Sequence, residues 1–60
     1  MEKEAFIEIL SIFQHKYPHR HIEMNGTIVN IDGEDKFNTD GYNLLYNLKR
    51  LCDCLEDELL

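Results

Sequence analysis

Apolar and polar positions along the chain fall into three blocks of different period. Over residues 2–17 the period is helical. Ala5, Phe6, Ile9, Leu10, Ile12, Phe13 and Tyr17 share one broad face, Glu4, Glu8, Ser11 and His15 lie opposite, and Ile7 sits off the apolar arc. Early acids (Glu2, Glu4) and a late Lys16 suit the helix dipole, and Pro18 supplies the stop.

From residue 20 the period drops to two. Asn25-Gly26 carries the side chains that a type I′ turn needs, so strands over 20–24 and 27–31 are predicted. That turn pairs Met24 with Thr27, Ile22 with Val29 and Arg20 with Ile31. One face then carries Ile22, Met24, Val29 and Ile31, the other His21, Glu23, Ile28 and Asn30. A three-residue loop, Asp32-Gly33-Glu34, sets Phe37 beside Val29 and predicts a short third strand over 35–37.

The last block, 40–59, is helical again. Leu44, Leu45, Leu48, Leu51, Cys52, Leu55 and Leu59 lie within about 120° of arc. Asn38, Thr39 and Asp40 are three successive N-cap candidates. The expected fold is a single α+β domain over 1–60, in the order α-β-β-(β)-α. Both amphipathic helices pack on one face of a small antiparallel hairpin or three-stranded meander.

Composition narrows what such a domain can do. Sixty residues leave no room for a large substrate cavity and make a lone monomer thinly cored. Twelve acids against six Lys plus Arg give a net charge of −6, which disfavours direct nucleic-acid binding. The charged start, Met1-Glu2-Lys3-Glu4, and the short apolar runs predict neither signal peptide nor membrane span, and hence a cytoplasmic protein. Cys52 and Cys54 diverge by about 200° on a helix, so they cannot bridge each other. On that wheel Cys52 joins the apolar stripe and Cys54 faces away from it. Asn25-Gly26-Thr27 matches a glycosylation sequon but reads as a turn.

Candidate chemistry is sparse. His19, His21 and Glu23 share the solvent face of the first strand, but a straight strand spreads such ligands over roughly 13 Å. Surface histidines are expected, with a His-based metal-responsive module as the remote alternative, and no cofactor. Ser11 and His15 are one helical turn apart but lack an orienting acid and an oxyanion hole. The three glycines are isolated and make no phosphate loop, so no enzymatic activity is expected.

The acids are the most informative feature. Glu2, Glu4 and Glu8 cluster on the first helix, Asp32, Glu34 and Asp35 at the second turn, and Asp53, Glu56, Asp57 and Glu58 at the end of the last helix. The last group opposes its helix dipole, at roughly 0.3–1 kcal/mol for each exposed acid. Tyr42 and Tyr46, one turn apart, sit beside them off the leucine stripe.

The expectation is a non-enzymatic protein-binding regulator or inhibitor. Its acids and tyrosine ridge would dock on a basic site of a larger protein, with nucleic-acid mimicry as one form of that docking. The alternative is a homodimer through Leu44, Leu48, Leu51 and Leu55, which keep heptad spacing. The α-β-β-β-α order resembles that of the double-stranded-RNA-binding domain. Thr39-Asp40-Gly41-Tyr42-Asn43 stands where that family has a Lys-rich motif, so nothing of its function carries over. In type, the chain is similar to small inhibitors encoded by bacteriophages and mobile elements.

Overall fold

The computed structural model describes residues 2–56. Its elements are α1 (Lys3–Lys16), β1 (Ile22–Asn25), β2 (Ile28–Ile31), β3 (Glu34–Asn38) and α2 (Leu44–Glu56). The strands form one antiparallel sheet in the order β1-β2-β3. The third strand is therefore real and longer than expected. Phe6 and Leu10 of α1, Leu51 and Leu55 of α2, and Ile22, Val29, Ile31 and Phe37 of the sheet form the buried core. Ile12, expected on the apolar face of α1, is 66% exposed, because the buried arc centres on Phe6 and Leu10.

Both turns differ from expectation in a compensating way. Met24 pairs with Val29 and Ile22 with Ile31, two residues away from the expected register. The first turn is Gly26-Thr27, with positive φ at Gly26 (63°) only. That is the backbone pattern of a type II′ turn, which places glycine first. Side chains alternate with period two, so a shift of two leaves Ile22, Met24, Val29 and Ile31 on the core face. The second turn is two residues, not three. Asp32 (φ 56°) and Gly33 (φ 87°) both lie in the left-handed region, as type I′ requires. A bulge between Val29 and Asn30 then adds the missing residue, and Phe37 still falls beside Val29.

The junction between α1 and β1 is tied by one side chain. Tyr17 N–H donates to Phe13 O at 2.8 Å as α1 ends ahead of Pro18. Gln14 Nε2 then donates to the carbonyls of Tyr17 (3.2 Å) and Arg20, while Gln14 Oε1 accepts from Ile22 N–H at 2.7 Å. Arg20 and His21 precede β1 instead of opening it, because His21 faces Asp32 in the turn: Asp32 N–H donates to His21 O at 2.8 Å.

Residues 39–43 form a loop, so α2 starts four residues later than expected. Thr39 does not cap it. Its N–H and Oγ1 both donate to Thr27 O (2.8 and 2.7 Å) and extend the sheet contact. Asn43 is the N-cap, its Oδ1 accepting from Tyr46 N–H at 2.8 Å. Asn47 is fully buried and donates Nδ2 to the carbonyls of Thr39 (3.1 Å) and Tyr42 (3.4 Å). Drawing Asn47 inward turns α2 by roughly 60° from the centre of its leucine arc, at 100° per residue. Cys54 therefore packs on the core, whereas Cys52 lies on the outer side with Leu45, the reverse of the expected arrangement. Leu59 lies outside the described residues.

Candidate interaction surface

The two ends of the sheet hold different chemistry. Lys3 lines a groove with Met24, Thr27 and Gly41, which puts the start of α1 at the Gly26-Thr27 turn. The Asp32-Gly33 turn lies at the other end of β2, beside Arg20 and the end of α1. A four-residue strand separates the turns by roughly 13 Å, more than a Debye length of about 8 Å at physiological salt. Glu2 and Glu4 thus act separately from Asp32, Glu34 and Asp35 for a partner in solution. The acids do not merge into one array along the molecule.

At the second turn each acid has an internal partner. Asp32 accepts from His21 N–H at 2.9 Å and from Arg20 Nε. The His21 N–H foremost, then the Arg20 guanidinium, hold the Asp32 carboxyl below its ordinary value. Lys36 Nζ donates to Glu34 at 2.8 Å, which lowers the Glu34 carboxyl and raises the Lys36 ammonium. Asp35 accepts from Asn30 Nδ2 at 3.0 Å, and Asn30 Oδ1 in turn accepts from Gly33 N–H at 3.1 Å. Asp35 thus ties β3 to β2, Asp32 ties the turn to the segment ahead of β1, and Glu34 pairs within β3, so all three are engaged inside the fold.

Glu4 and Glu8 stand differently. Both are exposed on the outer side of α1, one turn apart, and form no ion pair among the described residues. Like charges at that spacing repel by a few tenths of a kcal/mol. Ile12, one turn further on, and Ile7 (45% exposed) adjoin them. Acid next to exposed β-branched apolar surface is the signature this face presents. On α2, Asp53 and Glu56 are also exposed without an ion pair among the described residues. Asp57 and Glu58 lie outside the described residues.

The tyrosine ridge is organised by a residue that sequence reading missed. Tyr42 and Tyr46 stack with ring centroids 5.0 Å apart and are each about half exposed. The Arg50 guanidinium lies 4.5 Å from the Phe37 ring centre, 4.9 Å from Tyr42 and 5.6 Å from Tyr46, and donates to Asn38 O at 3.1 Å. The i, i+4, i+8 spacing of Tyr42, Tyr46 and Arg50 was the available signal; Phe37 comes from the sheet and had none.

The leucine seam expected at a dimer interface serves the chain itself. Leu51 and Leu55 are fully buried in the core, and Leu44 and Leu48 pack against it. Leu51 and Leu55 therefore have no surface left for a seam with a second copy while this fold is intact, whereas Leu44 and Leu48 are only partly buried. His21 Nε2 lies 3.2 Å from Glu23 Oε2 on the open side of β1. Among the described residues no third His, Cys, Asp or Glu joins them to complete a metal-ligand set. Nor is any helix among those residues long and apolar enough to cross a membrane. No protein-family model, curated protein or solved structure matches the chain.

Proposed function

We propose that this chain is a small, non-enzymatic protein-binding regulator or inhibitor acting in the cytoplasm. It docks the outer side of α1 on a basic site of a larger protein. One observation carries the reading: Glu4 and Glu8 form no ion pair among the described residues and stand beside exposed Ile7 and Ile12, while Asp32 and Glu34 pair with Arg20 and Lys36 and Asp35 accepts from Asn30. Exposed acids give steering and specificity, and the adjacent isoleucines give apolar area that excludes water on contact. Separation of the acid groups to two ends favours docking by one face over imitation of a continuous phosphate backbone.

The test compares wild type with a Glu4→Gln/Glu8→Gln variant and an Ile12→Ser variant as baits in lysate of the source cells, read by quantitative mass spectrometry. A basic protein retained by wild type, released as salt rises and lost from both variants supports the reading. Identical capture by all three baits, or no salt-sensitive partner, overturns it.

A further inference from the structure

β1 and β3 are the two edges of the sheet, and they are built differently. β3 carries exposed Glu34, Asp35 and Lys36, and Arg50 donates to Asn38 O, devices that keep another strand away. β1 has no Lys, Arg or Pro. The bond from Asp32 N–H to His21 O turns the His21 backbone toward β2. By the alternation of an antiparallel ladder, Glu23 and Asn25 also bond to β2. Ile22 and Met24, and Arg20 ahead of them, therefore point their backbone groups away from the sheet. Gln14 covers the start of that edge. Its amide donates to Arg20 O and accepts from Ile22 N–H at 2.7 Å, as a peptide group of a neighbouring strand would. Beyond it, Ile22 O and both backbone groups of Met24 have no strand beside them among the described residues.

That open stretch is one side of a groove whose other wall is α1, with Ile7, Leu10 and Ser11. Glu4 and Glu8 are i, i+3 neighbours of Ile7 and Ser11 and so rim the groove. Exposed Glu23 stands on the open face of β1 beside it.

We propose that this groove takes an extended, basic segment of the partner protein, added antiparallel to β1 as the next strand of the sheet. The free groups of Ile22 and Met24 call for extended backbone. Segment residues opposite Ile22 and Met24 turn toward Ile7 and Leu10 and are apolar. The residue opposite Glu23 falls in a non-hydrogen-bonded pair, where side chains come closest, and is Lys or Arg. A second copy does not meet these terms. Exchanging bonds between Ile22 and Met24 of two β1 strands sets Glu23 against Glu23 and faces the Glu4 and Glu8 rims of two chains of net charge −6. The proposal rests on the reading of α1 as a docking face and adds the form of what docks there.

The experiment titrates the protein into a fluorescein-labelled octapeptide of alternating Val and Lys and reads anisotropy. Two further peptides carry methyl groups on backbone nitrogens, one at every Val and the other at every Lys, with side chains and charge unchanged. Wild type binds the parent peptide. Methylation at Val, whose N–H would face β1, weakens binding at least about tenfold, whereas methylation at Lys, whose N–H would face outward, changes it less than about threefold. Glu23→Lys, at an exposed position, weakens binding of the parent peptide at least about tenfold. No binding up to about 1 mM, equal loss with both methylations, or loss with Lys methylation alone overturns the inference. The titration needs no lysate partner, so the two proposals fail separately. Salt-sensitive capture without the methylation pattern removes this one; the methylation pattern with capture indifferent to Glu4, Glu8 and Ile12 removes the other.

Discussion

Replacing Gln14 by Leu removes the side chain that holds the end of α1 to the start of β1. Its amide makes three hydrogen bonds to backbone groups of Tyr17, Arg20 and Ile22, two donated and one accepted. Leucine has nearly the same volume and helix propensity, so the change isolates those bonds. Each is worth about 1 kcal/mol net, and Ile22 is buried, so its N–H would lose its partner away from water. The expected loss is about 2–3 kcal/mol.

A chain of this length has a total stability of roughly 3–9 kcal/mol, at about 0.05–0.15 kcal/mol per residue. The substitution thus consumes about a fifth or more, and lowers Tm by roughly 15–25 °C. Urea unfolding followed by helical circular dichroism, at one fixed protein concentration, measures it. Gln14→Glu gives a second reading. Its carboxylate can still accept from Ile22 N–H but faces the Tyr17 and Arg20 carbonyls, which raises its folded-state pKa above the unfolded value. Its stability is therefore best below the unfolded pKa of about 4 and falls as pH rises through the folded value. A Gln14→Leu loss below about 0.5 kcal/mol, within the range of ordinary surface changes, would refute the clamp.

The other expectations concern the core, the hairpin and the aromatic cluster. Leu51→Ala, at a fully buried position, costs about 2–5 kcal/mol, whereas Leu45→Ala leaves the monomer within about 0.5 kcal/mol of wild type; denaturation at low concentration separates the two. The lowered Asp32 and Glu34 carboxyls contribute stability above their unfolded pKa values that is lost as pH falls through the folded ones. Raised Lys36 contributes stability below its unfolded value that is lost as pH rises through the folded one. Melting curves should therefore show a plateau between about pH 5 and pH 10, with an acid limb that Asp32→Asn flattens. Asparagine tolerates the positive φ of 56° there, so geometry is kept. Arg50→Met removes the guanidinium from Phe37, Tyr42 and Tyr46 and costs about 1–2 kcal/mol, with a change in tyrosine fluorescence as its local readout.

Periodicity alone determined which side of each strand faces the core and that α1 and α2 are amphipathic. Those features survive errors of detail for a physical reason. A strand slipped by two residues keeps its faces, so Met24 beside Val29 buries the same four side chains as Met24 beside Thr27 would. Likewise, a two-residue turn plus a bulge delivers Phe37 to Val29 as a three-residue loop would. The acid excess was equally legible, and so was the inverted charge of the last helix.

Tertiary structure alone decided how those elements are rotated and bonded. Asn47 looks like a polar interruption beside the leucine arc, yet its bonds to Thr39 and Tyr42 make it the buried pivot of α2. Its burial turns Leu45 and Cys52 outward and Cys54 inward. Sequence likewise counts Asp32, Glu34 and Asp35 as one acidic cluster, because composition records charge and not its neighbours. Their partners are Arg20, Lys36, Asn30 and the His21 backbone, two to twelve residues away along the chain. Only folding brings these together, and that leaves Glu4 and Glu8 on α1, with Asp53 and Glu56 on α2, among the acids still open to another protein.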